Sequence, residues 1–155
     1  SYEELNYQGD KDSDSLQAGG FVGDRLVSIA SIYNQSPFIA KDMEKYGELP
    51  KSLSFYRNES GEKNIWRLRG MATEPEFQGR GFGAKLLEAS IGYVAQQKGN
   101  RLWCTARIPA SGFYRSRGFG VEGGEFEVKN AGPHYFMCRP VQESDKAFMD
   151  LFSSS

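Results

Sequence analysis

The segment Gln78–Gly83, with the sequence Gln-Gly-Arg-Gly-Phe-Gly, has the residue types and spacing of an anion-binding loop. It opens an amphipathic stretch with the pattern of a helix. The start of a helix presents unpaired backbone N–H groups and the positive end of the helix dipole, and both attract phosphate. Glycines let the backbone approach a pyrophosphate closely, and Arg80 adds a positive charge. We therefore predict anion binding here in preference to a simple strand-to-helix turn.

Two well-known phosphate-binding motifs fit this loop poorly. Gly79, Gly81 and Ala84 match the dinucleotide fingerprint G-x-G-x-x-G/A, but the loop does not follow its strand at once. The fingerprint also requires an acidic residue after the next strand, where this chain has Arg107. The P-loop is excluded because Ala-Lys-Leu at 84–86 replaces G-K-[ST]. A nucleotide-dependent oxidoreductase is therefore the less favoured interpretation.

Two segments, in this order along the chain, resemble the acetyl-CoA-binding region of the GNAT N-acetyltransferases. The first runs from Met71 and contains the family pattern Q/R-x-x-G-x-G/A at Gln78, Gly81 and Gly83. The second, Ala110–Phe119, is similar to the A-x-x-F-Y-x-x-x-G-F stretch of the same family. The presence of two motifs in the right order within one strand–helix–strand unit argues against a chance match.

The resemblance covers roughly residues 26–139, with the insert 36–64 unmatched. It implies an α/β fold in which a mixed sheet is flanked by helices, with the family's N-terminal strand and helix outside this chain. It also implies acetyl-CoA as the acyl donor, no metal, and a primary amine of a small molecule or peptide that attacks the thioester directly. A CoA-binding regulatory or interaction module without turnover is the alternative, although such a module would not need an acid at Tyr114.

The resemblance also implies roles for individual residues. Tyr114 is expected to protonate the leaving thiolate. His134 is a candidate base beside Glu74, Glu76 and Glu122, with a hydrogen-bonded structural histidine as the alternative. The expected CoA-binding residues are Met71, Ala72, Thr73, Gln78, Gly79, Arg80, Gly81, Phe82, Gly83, Arg107 and Arg117. Family members often have an asparagine where Arg107 stands, and an arginine there can reach a CoA phosphate instead.

The elements that position these residues follow from hydrophobic periodicity. Phe21-Val22 and Leu26–Tyr33 predict a hairpin, and the polar insert predicts a short helix at Lys41–Tyr46 within a loop. Further strands are expected at Ile65–Thr73, Leu102–Ala106, Glu125–Lys129 and Tyr135–Arg139, and helices at Gly81–Gln97 and Pro109–Arg117. In the longer helix Phe82, Leu86, Leu87, Ile91 and Val94 form an apolar stripe, opposite Lys85, Glu88, Gly92 and Gln96.

Length and composition indicate one soluble domain. The 155 residues form a single unit, with a polar lead-in at 1–18 and a C-terminal tail at 140–155. The net charge of −1 argues against a nucleic-acid or membrane-surface role. Cys104 and Cys138 are expected to be reduced thiols packed in strands of a cytoplasmic protein. A homodimer is left open, and the acceptor cannot be identified from the sequence.

Overall fold

A mixed sheet forms the centre of the described structure. The computed structural model describes residues 4–6, 15–36 and 64–151. In chain order the elements are β1 (Glu4–Asn6), β2 (Ser15–Val22), β3 (Arg25–Asn34), β4 (Ile65–Thr73), α1 (Phe82–Gln96), β5 (Arg101–Arg107), α2 (Ser111–Arg115), β6 (Gly120–Val128) and β7 (Gly132–Pro140). Within these residues the strand order is β1-β2-β3-β4-β5-β7-β6, and only β4 and β5 are parallel neighbours. The predicted α/β class with a mixed sheet is confirmed.

A short strand precedes the hairpin, within the residues that the sequence assigned to the polar lead-in. Glu4–Asn6 pair antiparallel with residues 19–21 of β2. A strand at the edge of a sheet needs backbone pairing on one side only, so a three-residue segment without apolar alternation can form one. Residues 15–18, which the sequence assigned to the lead-in, belong to β2. Residues 7–14 lie outside the described residues.

The predicted hairpin is confirmed, with a first arm longer than its apolar residues indicate. β2 and β3 pair antiparallel from Ser15↔Tyr33 to Val22↔Arg25, and Gly23 in the turn has φ 59°. A left-handed conformation of this kind suits glycine, which has no Cβ. The helix predicted at Lys41–Tyr46 lies outside the described residues.

Helix α1 covers one face of the sheet and encloses the main core. The predicted apolar stripe is confirmed, because its members are all buried, most of them against β-strand residues such as Trp66 and Leu102. Gly92 was expected on the polar side and is buried instead. A 3₁₀ helix at Glu143–Leu151 packs there, so that a Cβ on Gly92 would lie 3.0 Å from Met149 Cγ. The missing side chain allows this close approach, which an amphipathic pattern does not reveal.

The second half of the chain follows the predicted order with shifted boundaries. The short helix is divided into a 3₁₀ turn at Ile108–Ala110 and α2. β6 starts at Gly120, because its glycine-rich first half still pairs with β7 around an irregularity between Glu122 and Phe126. Cys104 and Cys138 are free thiols buried in strands, as predicted. None of the helices in the described ranges is long and apolar enough to cross a membrane.

Candidate active site

Strands β4 and β5 separate after a short stretch of pairing, which opens the sheet. Their parallel register runs only from Ile65↔Arg101 to Arg67↔Trp103. Gly70, with φ 68°, lies where the β3–β4 register shifts, as expected for a bulge that bends the strand. The opening is a cleft of about 320 Å³, within the usual range for ligand sites. Its lining residues are Arg67, Leu68, Arg69, Gly70, Met71, Cys104, Thr105, Ala106, Arg107, Ala110 and Tyr114.

The end of β4 is held by side chains from neighbouring segments. The Ser28 hydroxyl donates to the Ala72 carbonyl at 3.2 Å and is 2.8 Å from Thr73 Oγ1. The Gln78 amide donates to the Thr73 carbonyl at 3.0 Å. These contacts fix the end of β4, next to Met71 in the lining of the cleft. Gln78 therefore ties the loop back to the strand, a role that its motif position alone does not show.

The loop before α1 has the geometry of an anion site. Gly79 and Gly81 have φ values of 78° and 89°, and Gly81 is the N-cap residue of α1 without any side-chain cap. A Cβ on Gly79 would meet no atom within 4 Å, so the backbone there is open to a ligand. The amides of the first helical turn are not capped by a side chain, which suits a pyrophosphate.

Aromatic packing positions the arginine of this loop. Phe77 and Phe82 pack edge to face at 6.1 Å and form a small core with Val27. The Arg80 guanidinium lies 5.1 Å from the centre of the Phe77 ring, and Arg25 is at the same distance. Arg25 also forms ion pairs with Glu74 and Glu76, which places those two candidate bases in the loop rather than among the residues lining the cleft.

Tyr114 reaches the cleft from α2. Its ring packs against Phe113 and Phe119 at 5.2 and 5.5 Å, and its hydroxyl lies 3.8 Å from the Met71 sulfur across the opening. Burial, and to a lesser extent the nearby Cys104, raise the pKa of Tyr114 well above its ordinary value. The hydroxyl therefore keeps its proton and can act as a hydrogen-bond or proton donor.

The other two arginines predicted to contact CoA, Arg107 and Arg117, precede and follow α2 in the chain. Arg107 is exposed at the end of β5 and lines the cleft. The Arg117 guanidinium lies 5.3 Å from the centre of the Phe113 ring, and Phe113 in turn faces Gly83 of the loop. The Arg117 Nε is buried without a hydrogen-bond partner among the described residues.

His134 lies on β7, next to the cleft rather than in its lining. It pairs with Arg107 of β5 and is 9% exposed. Its Nδ1 is 2.9 Å from the Gly132 carbonyl, which can only accept a hydrogen bond. Nδ1 must therefore carry the proton, and Nε2 of the neutral ring has the free lone pair that a base requires.

Two arginines of β4 were not identified from the sequence. Arg67 is 3% exposed, donates to the Gln35 side chain at 3.3 Å, and has its guanidinium 4.6 Å from the centre of the Trp103 ring. Arg69 is exposed two residues further along the cleft. Their alternation with Trp66 and Leu68 is visible in the sequence and was the available signal.

No group of three or more His, Cys, Asp and Glu side chains among the residues described here could hold a metal ion. The chemistry of the cleft, as far as the structure describes it, therefore comes from a tyrosine hydroxyl, guanidinium groups, backbone amides and the nearby imidazole. This set can bind anions and donate or accept protons.

Comparisons with known proteins agree with this geometry. The model of the acetyltransferase (GNAT) domain family matches residues 34–121. The uncharacterized N-acetyltransferase YitI of Bacillus subtilis is 27% identical over 145 residues, which cover 93% of this chain and 83% of that protein. A GNAT acetyltransferase from Streptococcus pneumoniae has a similar fold, with a TM-score of 0.60 and 17% identity over 86% of this chain and 71% of that one.

An aminoglycoside 6'-N-acetyltransferase solved in complex with coenzyme A also shares the fold. Its TM-score is 0.58 at 13% identity, over 82% of this chain and 73% of that one. The family model covers more than half of this chain and includes both the glycine loop and Tyr114. The protein therefore belongs to the GNAT acetyltransferases, enzymes that take an acetyl group from acetyl-CoA.

Proposed function

We propose that this acetyltransferase transfers the acetyl group to a primary amine of a small molecule or peptide, by direct attack of the amine on the thioester. The observation that carries the proposal is the Tyr114 hydroxyl, which faces a cleft between two separated strands and lies 3.8 Å from Met71. A proton donor is needed where the thiolate leaves, and the opening of the sheet provides room for both substrates.

Acetyl-CoA is held on the side of the cleft that α1 covers. The backbone of Met71, Ala72 and Thr73 is the edge along which the pantetheine arm pairs. The amides between Gly79 and Gly83 bind the pyrophosphate, with Gln78 anchoring the loop. Arg80, stacked on Phe77, and Arg117, stacked on Phe113, supply positive charge on either side of the loop. Phe82 supports the loop from the core. Arg107, which the resemblance assigned to CoA, lines the cleft from the face of β5 that is turned away from α1, so we assign it to the acceptor side instead.

Acetyl-CoA supplies the acetyl thioester, and residues around the cleft donate and accept the protons. As the amine nitrogen bonds to the acetyl carbon, the carbon–sulfur bond breaks and Tyr114 gives its proton to the departing sulfur. Backbone N–H groups of β4, next to the bulge at Gly70, stabilise the negative oxygen that forms. His134 takes the proton of the amine through its Nε2. Because His134 does not line the cleft, this transfer passes through water.

A panel of amines tests the proposal. The enzyme is incubated with acetyl-CoA and single amines that include peptides, amino acids and simple alkylamines, and both free CoA thiol and acetylated product are measured. We expect at least one primary amine to be acetylated in equal amount to the thiol released. Release of thiol without any acetylated amine would overturn amine transfer and indicate hydrolysis instead.

A further inference from the structure

The two faces of β4 carry different side chains where it borders the cleft. Trp66 and Leu68 belong to the core beneath α1. Side chains alternate along a strand, so Arg67 and Arg69 lie on the opposite face. Both line the cleft. β4 therefore places two guanidinium groups on the side of the opening that faces away from α1.

Strand β5 repeats the same arrangement across the opening. Cys104 and Ala106 belong to the core beneath α1, so Thr105 and Arg107 lie on the opposite face. Thr105 and Arg107 also line the cleft. Among the lining residues that the structure describes there are three arginines and no aspartate or glutamate. This side of the opening therefore presents arginine side chains from both strands.

The groups assigned to the donor lie on the other side. Tyr114 and Met71 pack against the core beneath α1, and the loop that binds the pyrophosphate opens that helix. A donor that occupies this side leaves the arginine face for the acceptor. The arginines therefore border the second substrate rather than the thioester sulfur.

We infer that the acceptor amine carries an anionic group, a carboxylate or a phosphate, close to the amine. This inference rests on the proposed transfer to an amine and names the class of acceptor. A guanidinium binds the paired oxygens of either anion in a bidentate manner. Arg69 is the ligand at the exposed mouth of the cleft. Arg67 is held by Gln35 and Trp103 and supplies a fixed charge deeper in the cleft.

The same charges favour the reaction. A nearby positive charge lowers the pKa of an amine, so that more of the bound acceptor has the free lone pair that attacks the thioester. A polycationic amine would be repelled by this face, because it has no anion to offset its charge. Aminoglycosides and polyamines are therefore poor acceptors for this enzyme, although an aminoglycoside acetyltransferase shares its fold.

Four amines of matched length test the inference. They are β-alanine, 2-aminoethyl phosphate, propylamine and 1,3-diaminopropane, each assayed with saturating acetyl-CoA at low ionic strength. We expect kcat/KM for at least one of the two anion-bearing amines to exceed that for propylamine by about tenfold or more, the effect of a charged hydrogen bond. The diamine should be the poorest, and added salt should reduce the preference. The better of the first two compounds distinguishes a carboxylate from a phosphate acceptor.

The substitution Arg69→Gln tests whether the preference for anion-bearing amines arises in the cleft. It should raise KM for the anion-bearing amine about tenfold and change kcat little, whereas kcat/KM for propylamine should fall much less. Lys98→Gln removes the same charge at the far end of α1, outside the cleft, and should keep wild-type constants.

The outcomes separate the two proposals. Preferential acetylation of the diamine, or an Arg69→Gln enzyme with the wild-type preference, would overturn the anionic acceptor and leave amine transfer in place. Failure of the wild-type enzyme to acetylate any amine, in this set or in the wider panel, would overturn amine transfer and this inference with it.

Discussion

Tyr114 combines a partly buried ring with a hydroxyl that faces the cleft. Its aromatic neighbours Phe113 and Phe119 would fix a tyrosine or a phenylalanine equally well, but only the hydroxyl reaches Met71. Burial raises the pKa of this hydroxyl, so it stays protonated as the pH rises through the range in which an amine becomes a free base. The acid and the nucleophile can thus be in their active forms at the same pH.

Replacing Tyr114 with phenylalanine should lower kcat by roughly 10²-fold, near the lower end of general acid catalysis, because a thiolate is a tolerable leaving group. The KM for acetyl-CoA should change little, since the ring keeps its packing. Steady-state kinetics measure both constants. A raised KM with unchanged kcat would show that the tyrosine only packs against the donor.

Replacing His134 with glutamine tests the base. Glutamine can keep a hydrogen bond to the Gly132 carbonyl but cannot accept a proton. We expect kcat to fall by about 10²-fold, with unchanged affinity for acetyl-CoA. A variant with wild-type kcat and a lower melting temperature would assign His134 to the structure alone.

At the scale of elements, the start of α1 offers a matched pair of substitutions. Gly81 has φ 89°, and a valine there is both strained and obstructive to the pyrophosphate. Gly83 lies in the first turn of the helix, where a Cβ would make only ordinary contacts at 3.8 and 3.9 Å. Gly81→Val should weaken acetyl-CoA binding by about tenfold or more, or about 1.4 kcal/mol. Gly83→Ala should bind acetyl-CoA with wild-type affinity in the same calorimetric titration. Equal affinities of the two variants would show that the loop is a structural turn and does not bind the pyrophosphate.

An ion pair between Arg139 of β7 and Asp145 of the C-terminal 3₁₀ helix makes the free energy of unfolding depend on pH. The Arg139 guanidinium donates to both carboxylate oxygens of Asp145 at 3.0 and 3.1 Å, and the backbone N–H of Gln142 donates to the same carboxylate at 2.8 Å. Burial alone would raise the pKa of Asp145, but these bonds outweigh it and lower the pKa below its usual 3.8. The stabilisation is therefore present above pH 3.8 and is lost as the pH falls through the lower pKa of the folded state.

Asp145→Asn should accordingly cost about 1–3 kcal/mol of unfolding free energy at neutral pH and much less at a pH well below 3.8. Denaturant titrations at several pH values measure this difference. Glu143→Gln is the matched control, because its pair with Lys146 is exposed and should contribute almost nothing. A constant cost of Asp145→Asn at every pH would contradict the ion-pair explanation.

How far the elements could be predicted depends on whether local or distant residues determine them. The α1 stripe, the strand at Ile65–Thr73 and the turn at Gly23 follow from local periodicity and glycine, and the structure reproduces them. The burial of Gly92 depends on Phe148 and Met149, which lie far along the chain. A pattern within α1 therefore gives no sign of it.

The candidate site could be predicted only in part for the same reason. The glycine loop and Tyr114 belong to contiguous motifs, so the sequence places them. The arginine face depends on where β4 leaves β5, which the register after Arg67 and the bulge at Gly70 determine. Arg67 and Arg69 are thus recognisable as alternating residues, but their common cleft with Arg107 appears only in three dimensions.

At the scale of the whole molecule, the sheet separates two environments within one opening. One side has the start of α1, Met71 and Tyr114, and the other has the arginines of β4 and β5. Two substrates can then meet at the opening while each is bound by a different side of the sheet. Cys104 also lines the cleft, but burial raises the pKa of its thiol well above the ordinary range, so it is a poor nucleophile. This agrees with the proposed direct transfer.

A single-turnover experiment tests this direct transfer most simply. Enzyme in excess is mixed with acetyl-CoA labelled in the acetyl group and with an amine that the panel identifies, and samples are quenched over time for mass spectrometry. We predict that labelled amine and free CoA appear at the same rate, and that the protein carries no label with or without the amine. Label on the protein, at Cys104 or elsewhere, that then passes to the amine would contradict direct attack on the thioester.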